Sequence, residues 1–167
     1  MGLGVKDLAT LEPKDSGLGP WTANLIFVNR RKCILFVNDK TLFNFLVPDI
    51  LRKHICELDS MFRNWFSCEL GEEGFTEVQT ARIMEEYQVI GYSKTKSRSV
   101  LGSMNDLAFM YKYSIQTKGG LHGLGFPGII KEINRLPMGS LGYKYPIEAL
   151  LDEPGPPLAH RHRRAPH

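Results

Sequence analysis

The feature that most constrains the fold is a change in hydrophobic periodicity near residue 48. Residues 21–47 contain three runs rich in β-branched and aromatic residues, separated by the turn-like sequences Asn-Arg-Arg-Lys and Asn-Asp-Lys. Beyond this point apolar residues recur at a spacing of about 3.6, the period of a helix that buries one side. The stripe consists of Ile50, Leu51, Ile55, Leu58, Met61, Phe62, Trp65 and Phe66. The change predicts a three-stranded antiparallel meander followed by the main core helix.

Continuous apolar stretches in the first and second of these runs show how the sheet should be packed. Residues 25–28 and 34–37 are apolar at consecutive positions, so helices should cover both faces of these strands. The main helix should open at Pro48 and bury Trp65 and Phe66 near its end.

The second half of the chain continues with shorter elements. Gly71 and Gly74 should break the main helix, and Thr76 with Gln79 predicts a capping box for a second helix that ends near residue 87. A short fourth strand is expected at residues 88–93, followed by a third helix.

Glycines and prolines set the remaining boundaries. Gly119 and Gly120 should end the third helix, and Pro127 suits the first turn of a fourth helix that stops before Pro137. The sequence therefore predicts one α+β domain over residues 1–151, with an antiparallel sheet of about four strands packed with about four helices. The Pro-, His- and Arg-rich residues 152–167 are expected to form a disordered tail.

Charge composition limits the classes of partner. Arg161, Arg163 and Arg164 account for the whole net charge of +3, so the folded part is neutral overall. That balance argues against a general nucleic-acid binder. The sequence has no secretory leader pattern and no apolar run long enough to span a bilayer, so a cytoplasmic protein without a membrane partner is expected.

The residues that most often carry chemistry give little support for an enzyme. The usual nucleophile, nucleotide-binding and zinc-protease motifs are absent, so no cofactor is expected. Cys33, Cys56 and Cys68 lack the paired spacing of a metal site, and buried reduced thiols are expected. His54 and His122 have no evident orienting partner and are interpreted as structural or solvated.

The most informative polar segment is the basic stretch Lys94-Thr-Lys96-Ser-Arg98-Ser99. If the fourth strand continues through it, its cations share one face, because side chains on a strand alternate. The following helix should be capped by Ser99, or by Ser103 with Asp106.

Two explanations of this cationic row remain open. Glu85, Glu86 or Asp106 could neutralise it within the protein, or it could bind a phosphate-bearing ligand together with the helix amides. The turn residues 30–32, which read Arg-Arg-Lys, pose a similar choice between simple solvation and the extension of a basic surface.

Three separated segments resemble a known family. The stretches WTANLIFVNRRKCILFVNDKTLF, TKSRSVLGSMNDLAF and INRLPMGSLGYKYPIEAL are together similar to a bacterial family defined only as a domain of unknown function, number 6933. The resemblance covers roughly residues 6–150 and implies a bacterial cytosolic protein, with no particular activity. The chain departs from the family pattern at its start, where the family begins with a β-strand. The corresponding sequence here, MGLGVKDLATLEP, is poor in strand formers, so the sequence does not decide whether a first strand forms.

The leading functional hypothesis is a non-enzymatic anion-binding module for a phosphate-bearing partner, with nucleic acid as one candidate. Its predicted ligand-binding residues are Lys94, Lys96, Arg98, Ser99, Ser103, Asn105 and Asp106. The alternative is a protein-interaction module that uses the acidic helices of residues 57–86 or the Gly-Tyr-Lys-Tyr-Pro segment. A third possibility is an enzyme of unfamiliar type, with Asn105 and Asp106 as the polar pair that would carry the chemistry.

Overall fold

The computed structural model describes residues 9–13, 17–95 and 97–153. One antiparallel sheet with the strand order β4-β3-β2-β1-β5 forms the centre of this part of the chain. The strands are β1 (Ala9–Pro13), β2 (Trp21–Val28), β3 (Arg31–Asn38), β4 (Asn44–Val47) and β5 (Ile90–Lys94). The helices are α1 (Arg52–Ile55), α2 (Leu58–Glu72), α3 (Glu77–Glu85), α4 (Arg98–Thr117), α5 (Phe126–Ile133) and α6 (Pro146–Asp152), with a 3₁₀ helix at Gly139–Leu141. The α+β prediction is confirmed.

The sheet has one strand more than predicted because residues 9–13 form β1. This strand lies between β2 and β5 and is hydrogen-bonded on both sides. Leu11, opposite Trp21 on one neighbour and Tyr92 on the other, is completely buried. Backbone hydrogen bonds to β2 and to β5 thus stabilise a segment whose own strand propensity is modest. Local sequence does not reveal these two pairings.

The predicted main helix is in fact two helices. Asp49 adopts a left-handed backbone conformation with φ of 56°, so the chain cannot continue helically from Pro48. The short α1 ends before Glu57, and α2 then begins at Leu58. With this division and the unpredicted α6, the described ranges contain six α-helices, where about four were predicted.

The end of α2 and the start of α3 are close to the predicted positions, although Gly71, one of the two predicted helix breakers, lies within α2. Gly74, with φ of 89°, follows α2 and makes the left-handed turn that a side chain would resist. The predicted capping box is confirmed: the Thr76 hydroxyl accepts from the Gln79 amide at 3.2 Å, and Gln79 Oε1 accepts from the Thr76 amide at 2.8 Å.

An aromatic core fills the sheet face that α2 covers. Trp21 lies 5.2 Å from Phe62 and 4.7 Å from Phe66 between ring centroids, and its indole N–H donates to the Tyr87 hydroxyl at 3.1 Å. Phe66 is fully buried as predicted. Trp65 is partly buried and packs against this core, so it is covered less completely than Phe66.

Helices α4 and α5 pack on the sheet from the opposite side, where the core contains a polar network. The Tyr111 hydroxyl donates to Asn44 Oδ1 at 2.7 Å. Asn134 Oδ1 accepts from the Asn44 amide at 2.9 Å, and Asn134 Nδ2 donates to the Asn44 carbonyl at 2.7 Å. All three residues are fully buried. Coverage of both faces is confirmed for residues 33–38 of β3, whereas Phe27 near the end of β2 is exposed.

The predicted tail lies mostly outside the part of the chain that can be described, since residues 154–167 fall beyond it. Its first two residues belong to the folded domain. Asp152 ends α6 and pairs with Lys144 at 2.8 Å, and Glu153 pairs with Lys40.

Candidate functional site

The predicted cationic row does not form along a strand. β5 ends at Lys94, and Arg98 is the first residue of α4. The Thr95 hydroxyl lies 3.0 Å from that of Thr10, and the helix is then capped by Ser97, whose hydroxyl accepts from the Val100 amide at 3.3 Å. Lys96 lies outside the described residues.

The predicted caps of α4 were therefore wrong. Ser97 offers the same side-chain chemistry as Ser99 and stands at the position from which the Val100 amide can be reached, so the helix begins earlier. Ser103 sits in the second turn and is buried, with its hydroxyl 3.0 Å from that of Ser140. It does not share a surface with the exposed Arg98 and Ser99.

The remaining predicted residues at the start of α4 are exposed. Asn105 and Asp106 face solvent in the second and third turns, and so does Lys94 at the end of β5. Within the described ranges, neither Lys94 nor Arg98 forms an ion pair with Glu85, Glu86 or Asp106. Glu86 instead accepts a hydrogen bond from the Gly17 amide at 3.1 Å.

The acidic segment of residues 57–86 is less of a surface feature than its composition suggests. Glu73 is almost completely covered and is held by both terminal nitrogens of Arg135, at 3.0 and 2.6 Å. Glu69 is buried as well, and burial, together with the neighbouring Glu72 and Glu73, raises its pKa from 4.5 to about 7. Two of the eight acids of this segment therefore do not belong to an open acidic surface.

The structure does bring together a different group of loops, and Asp49 is the residue that joins them. Its carboxylate accepts from Arg31 Nη1 at 2.8 Å and lies 3.2 Å from His122 Nε2. The Ile50 amide also donates to the Lys32 carbonyl at 2.8 Å. These contacts connect the β2–β3 hairpin, the segment between β4 and α1, and the glycine-rich loop between α4 and α5. We call residues 27–32, 48–54 and 119–125 the basic end.

The basic end has a strong excess of positive charge. It contains five Lys and Arg residues and one acid, Asp49, together with two histidines. Arg30, Lys32, Arg52 and Lys53 are exposed, and none of them forms an ion pair within the described part of the chain. Because Asp49 is already engaged by Arg31, it neutralises little of the charge on the other four cations.

Exposed apolar side chains lie among these cations. Phe27 is 47% exposed, Leu51 is 57% exposed and Leu124 is fully exposed, each in a different one of the three segments of the basic end. The Leu124 loop is compact, because a Cβ added at its neighbour Gly123 would lie 3.1 Å from the Gly119 carbonyl oxygen. The basic end thus combines exposed apolar side chains with four cations that form no ion pair within the described ranges.

Both histidines of the basic end have partners that the sequence did not reveal. Asp49 orients His122 although 73 residues separate them in the chain. His54 Nδ1 accepts from the Leu51 amide at 3.1 Å. These contacts are made by the folded chain and agree with the interpretation of the two histidines as structural or solvated.

The three cysteines differ in exposure. Cys33 is buried as predicted, and burial raises the pKa of its thiol to about 11, which keeps it protonated at neutral pH. Cys56 and Cys68 are exposed, contrary to the prediction, because they lie off the apolar stripe of their helices. Among the described residues, no group of three or more potential metal ligands comes together.

A cleft of about 250 Å³ opens beside the basic end, between α2 and the segment that follows β4. Val47, Ile50, Met61 and Trp65 form its apolar walls, and His54 is part of its rim. Its remaining lining residues are Pro48, Glu57, Ser60 and Asn64. The partial exposure of Trp65 is explained by its position in this cleft.

Fold and site together define an α+β domain with a five-stranded antiparallel sheet, helices on both faces and a cationic end formed by three loops. Residues 2–149 match the family model described as "Domain of unknown function (DUF6933)", and the chain belongs to that family. No curated protein and no solved structure matches the chain. In the described ranges, no helix is both long and apolar enough to cross a membrane.

Proposed function

We propose that this protein is a non-enzymatic binding module that recognises a phosphate-bearing partner through the basic end. The observation that carries the proposal is the convergence of three loops on Asp49, which gathers five cations around one acid. The overall neutrality of the folded part argues against a general nucleic-acid binder, but it is compatible with a local excess of positive charge at the basic end.

Exposed and unpaired cations suit this role for a physical reason. Arg30, Lys32, Arg52 and Lys53 do not have to break an ion pair with a described residue before they contact a phosphate. Arginine offers a planar fork that matches phosphate oxygens, and lysine supplies a mobile point charge. Their mutual repulsion is reduced when a negative partner replaces the small counterions around them.

The start of α4 is a second candidate location for the same function. Lys94, Arg98 and Ser99 are exposed, and the internal carboxylates proposed as their partners do not pair with them in the described ranges. Only two described cations meet there, however, and Ser103 is bonded to Ser140. The basic end therefore has the stronger support.

A protein-interaction module is the alternative, and one observation favours it. Tyr143 is 75% exposed with a left-handed backbone φ of 65°, an unusual conformation for a bulky residue. Tyr145, two residues later, is also exposed, so the loop presents two aromatic side chains to solvent. The hydrogen bond between Ser140 of this loop and Ser103 attaches the loop to the second turn of α4.

Three matched double variants test the proposal, each removing two exposed positive charges. They are Arg30→Gln with Lys32→Gln, Lys94→Gln with Arg98→Gln, and the control Arg82→Gln with Lys112→Gln. The measurement is the affinity for a fluorescein-labelled oligodeoxythymidine as a function of salt concentration, by fluorescence anisotropy. Each phosphate contact contributes a log–log slope of about 0.7 to 0.9, so the first variant should reduce the slope by about 1.5.

The outcomes separate the alternatives. Loss of slope in the second variant alone would move the site to the start of α4. If the wild-type protein shows no salt-dependent binding to any phosphate-bearing probe at low ionic strength, the phosphate proposal is refuted and protein interaction becomes the better explanation.

A further inference from the structure

We propose that the phosphate-bearing partner of the basic end is the headgroup layer of an anionic lipid bilayer, with Leu124, Leu51 and Phe27 entering the interface. This inference rests on the proposed function and names its partner. It requires contact with a membrane surface and does not require a membrane-spanning segment.

Leu124 is the first observation behind this assignment. It is fully exposed in a glycine-rich loop, whereas Leu121, three residues earlier, packs into the core. Gly119 and Gly120 both have positive φ, so the loop turns sharply and projects Leu124 away from the domain. Such a tip has no packing role within the described structure, and it suits insertion among lipid headgroups.

The arrangement of the other apolar side chains is the second observation. Phe27 and Leu51 lie on the two loops that Asp49 connects to the Leu124 loop, through Arg31 and His122. The apolar tips therefore belong to one end of the molecule, and contacts between loops hold them together. A bilayer can receive several apolar tips at once, because its surface extends in two dimensions.

The chemistry of these side chains distinguishes a lipid surface from a nucleic acid. Bases are bound by stacking on aromatic rings, and only Phe27 of the three exposed residues is aromatic. The aliphatic Leu51 and Leu124 have no comparable partner on a phosphate backbone. Aliphatic tips surrounded by lysine and arginine match a layer that has acyl chains below and phosphates above.

The test measures binding of the full chain to sonicated vesicles by co-sedimentation. Two compositions are compared, phosphatidylcholine alone and phosphatidylcholine mixed with phosphatidylserine. We expect binding to the mixed vesicles only. The Arg30→Gln, Lys32→Gln variant should lower the partition constant by about fivefold per charge, the effect expected of a basic residue near an anionic surface.

Leu124→Ser should also weaken binding to the mixed vesicles, by about tenfold for a leucine side chain that leaves the interface. Val89→Ser is the matched control, because Val89 is 70% exposed in a region away from the basic end. Leu124→Trp gives a second readout: its emission should shift to shorter wavelength on mixed vesicles, whereas that of Val89→Trp should not.

Each outcome supports or overturns the inference. Binding to the labelled oligonucleotide without binding to mixed vesicles would overturn it and leave the proposed function intact. Absence of binding to both probes would overturn both proposals. Vesicle binding that Leu124→Ser leaves unchanged would refute the insertion of the apolar tips.

Discussion

Replacing Glu69 with glutamine should make the protein more stable at pH 8 and leave its stability almost unchanged at pH 4. Glu69 lies on the last turns of α2 and is 8% exposed. Burial is the main cause of its raised pKa, the charges of Glu72 and Glu73 raise it further, and Lys131 on α5 partly opposes them. The carboxyl group therefore prefers to be protonated in the folded state.

The direction and size of the effect follow from this shift. The folded pKa of about 7 exceeds the unfolded value of 4.5, so the group's contribution to stability is fully present below pH 4.5. It is lost as the pH rises through 7, when the buried carboxyl group ionises. A shift of roughly 2.5 units at 1.36 kcal/mol per unit corresponds to about 3 kcal/mol. That is a large part of a typical domain stability of about 5 to 15 kcal/mol.

Urea unfolding of the wild type and Glu69→Gln at pH 4, 6 and 8 measures this effect. Glutamine resembles the protonated acid, so the variant should unfold at about 1.5 M more urea than the wild type at pH 8, for a denaturant dependence of about 2 kcal/mol per M. Glu85→Gln is a control for the loss of one exposed charge. A difference between wild type and variant that does not change with pH would refute the reasoning, and so would a variant that is less stable at pH 8.

Two further predictions concern the core and the start of α4. Phe66→Ala should lower the free energy of unfolding by about 3 to 5 kcal/mol, because the Phe66 ring is fully buried against Trp21. Trp65→Ala should lower it clearly less, because Trp65 is only partly buried. Equal urea midpoints for the two variants would contradict this assignment. Ser97→Ala should lower the free energy of unfolding by about 1 kcal/mol through loss of the N-cap, and Ser99→Ala should lower it by less than about 0.5 kcal/mol. A lower melting temperature for Ser99→Ala than for Ser97→Ala would place the cap at Ser99.

Local sequence patterns predicted the elements whose signals are contained within a few residues. The capping box at Thr76 and Gln79 and the end of α4 before Gly119 follow from short-range hydrogen bonds and backbone preferences. β1 was not predictable in this way, since its stability comes from pairing with strands on both sides. The helix break after Pro48 was also hidden, because the left-handed Asp49 is held by Arg31 and His122 from other parts of the chain.

The site shows the same limit more strongly. The alternating spacing of Lys94, Lys96 and Arg98 predicts a row of cations, because these residues are close together in the chain. The basic end is assembled from three segments that are distant in sequence. Of these, only the hairpin residues 30–32 are recognisable in the sequence as a basic turn. Its apolar tips were not recognisable either, because exposure of Leu51 or Leu124 depends on how the loops fold; Leu51 even fits the apolar stripe that predicted a buried helix face.

The buried side-chain carboxamide of Asn134 affects whether the edge of the sheet can pair with a strand of another molecule. β4 is the outermost strand on its side of the sheet, and the outward amide and carbonyl of Asn44 are the groups through which a further strand would dock. The Asn134 carboxamide accepts from one and donates to the other, as a strand backbone would. A single side chain on α5 thus imitates the next strand and closes this point of the edge, which protects the sheet from joining the edges of other molecules.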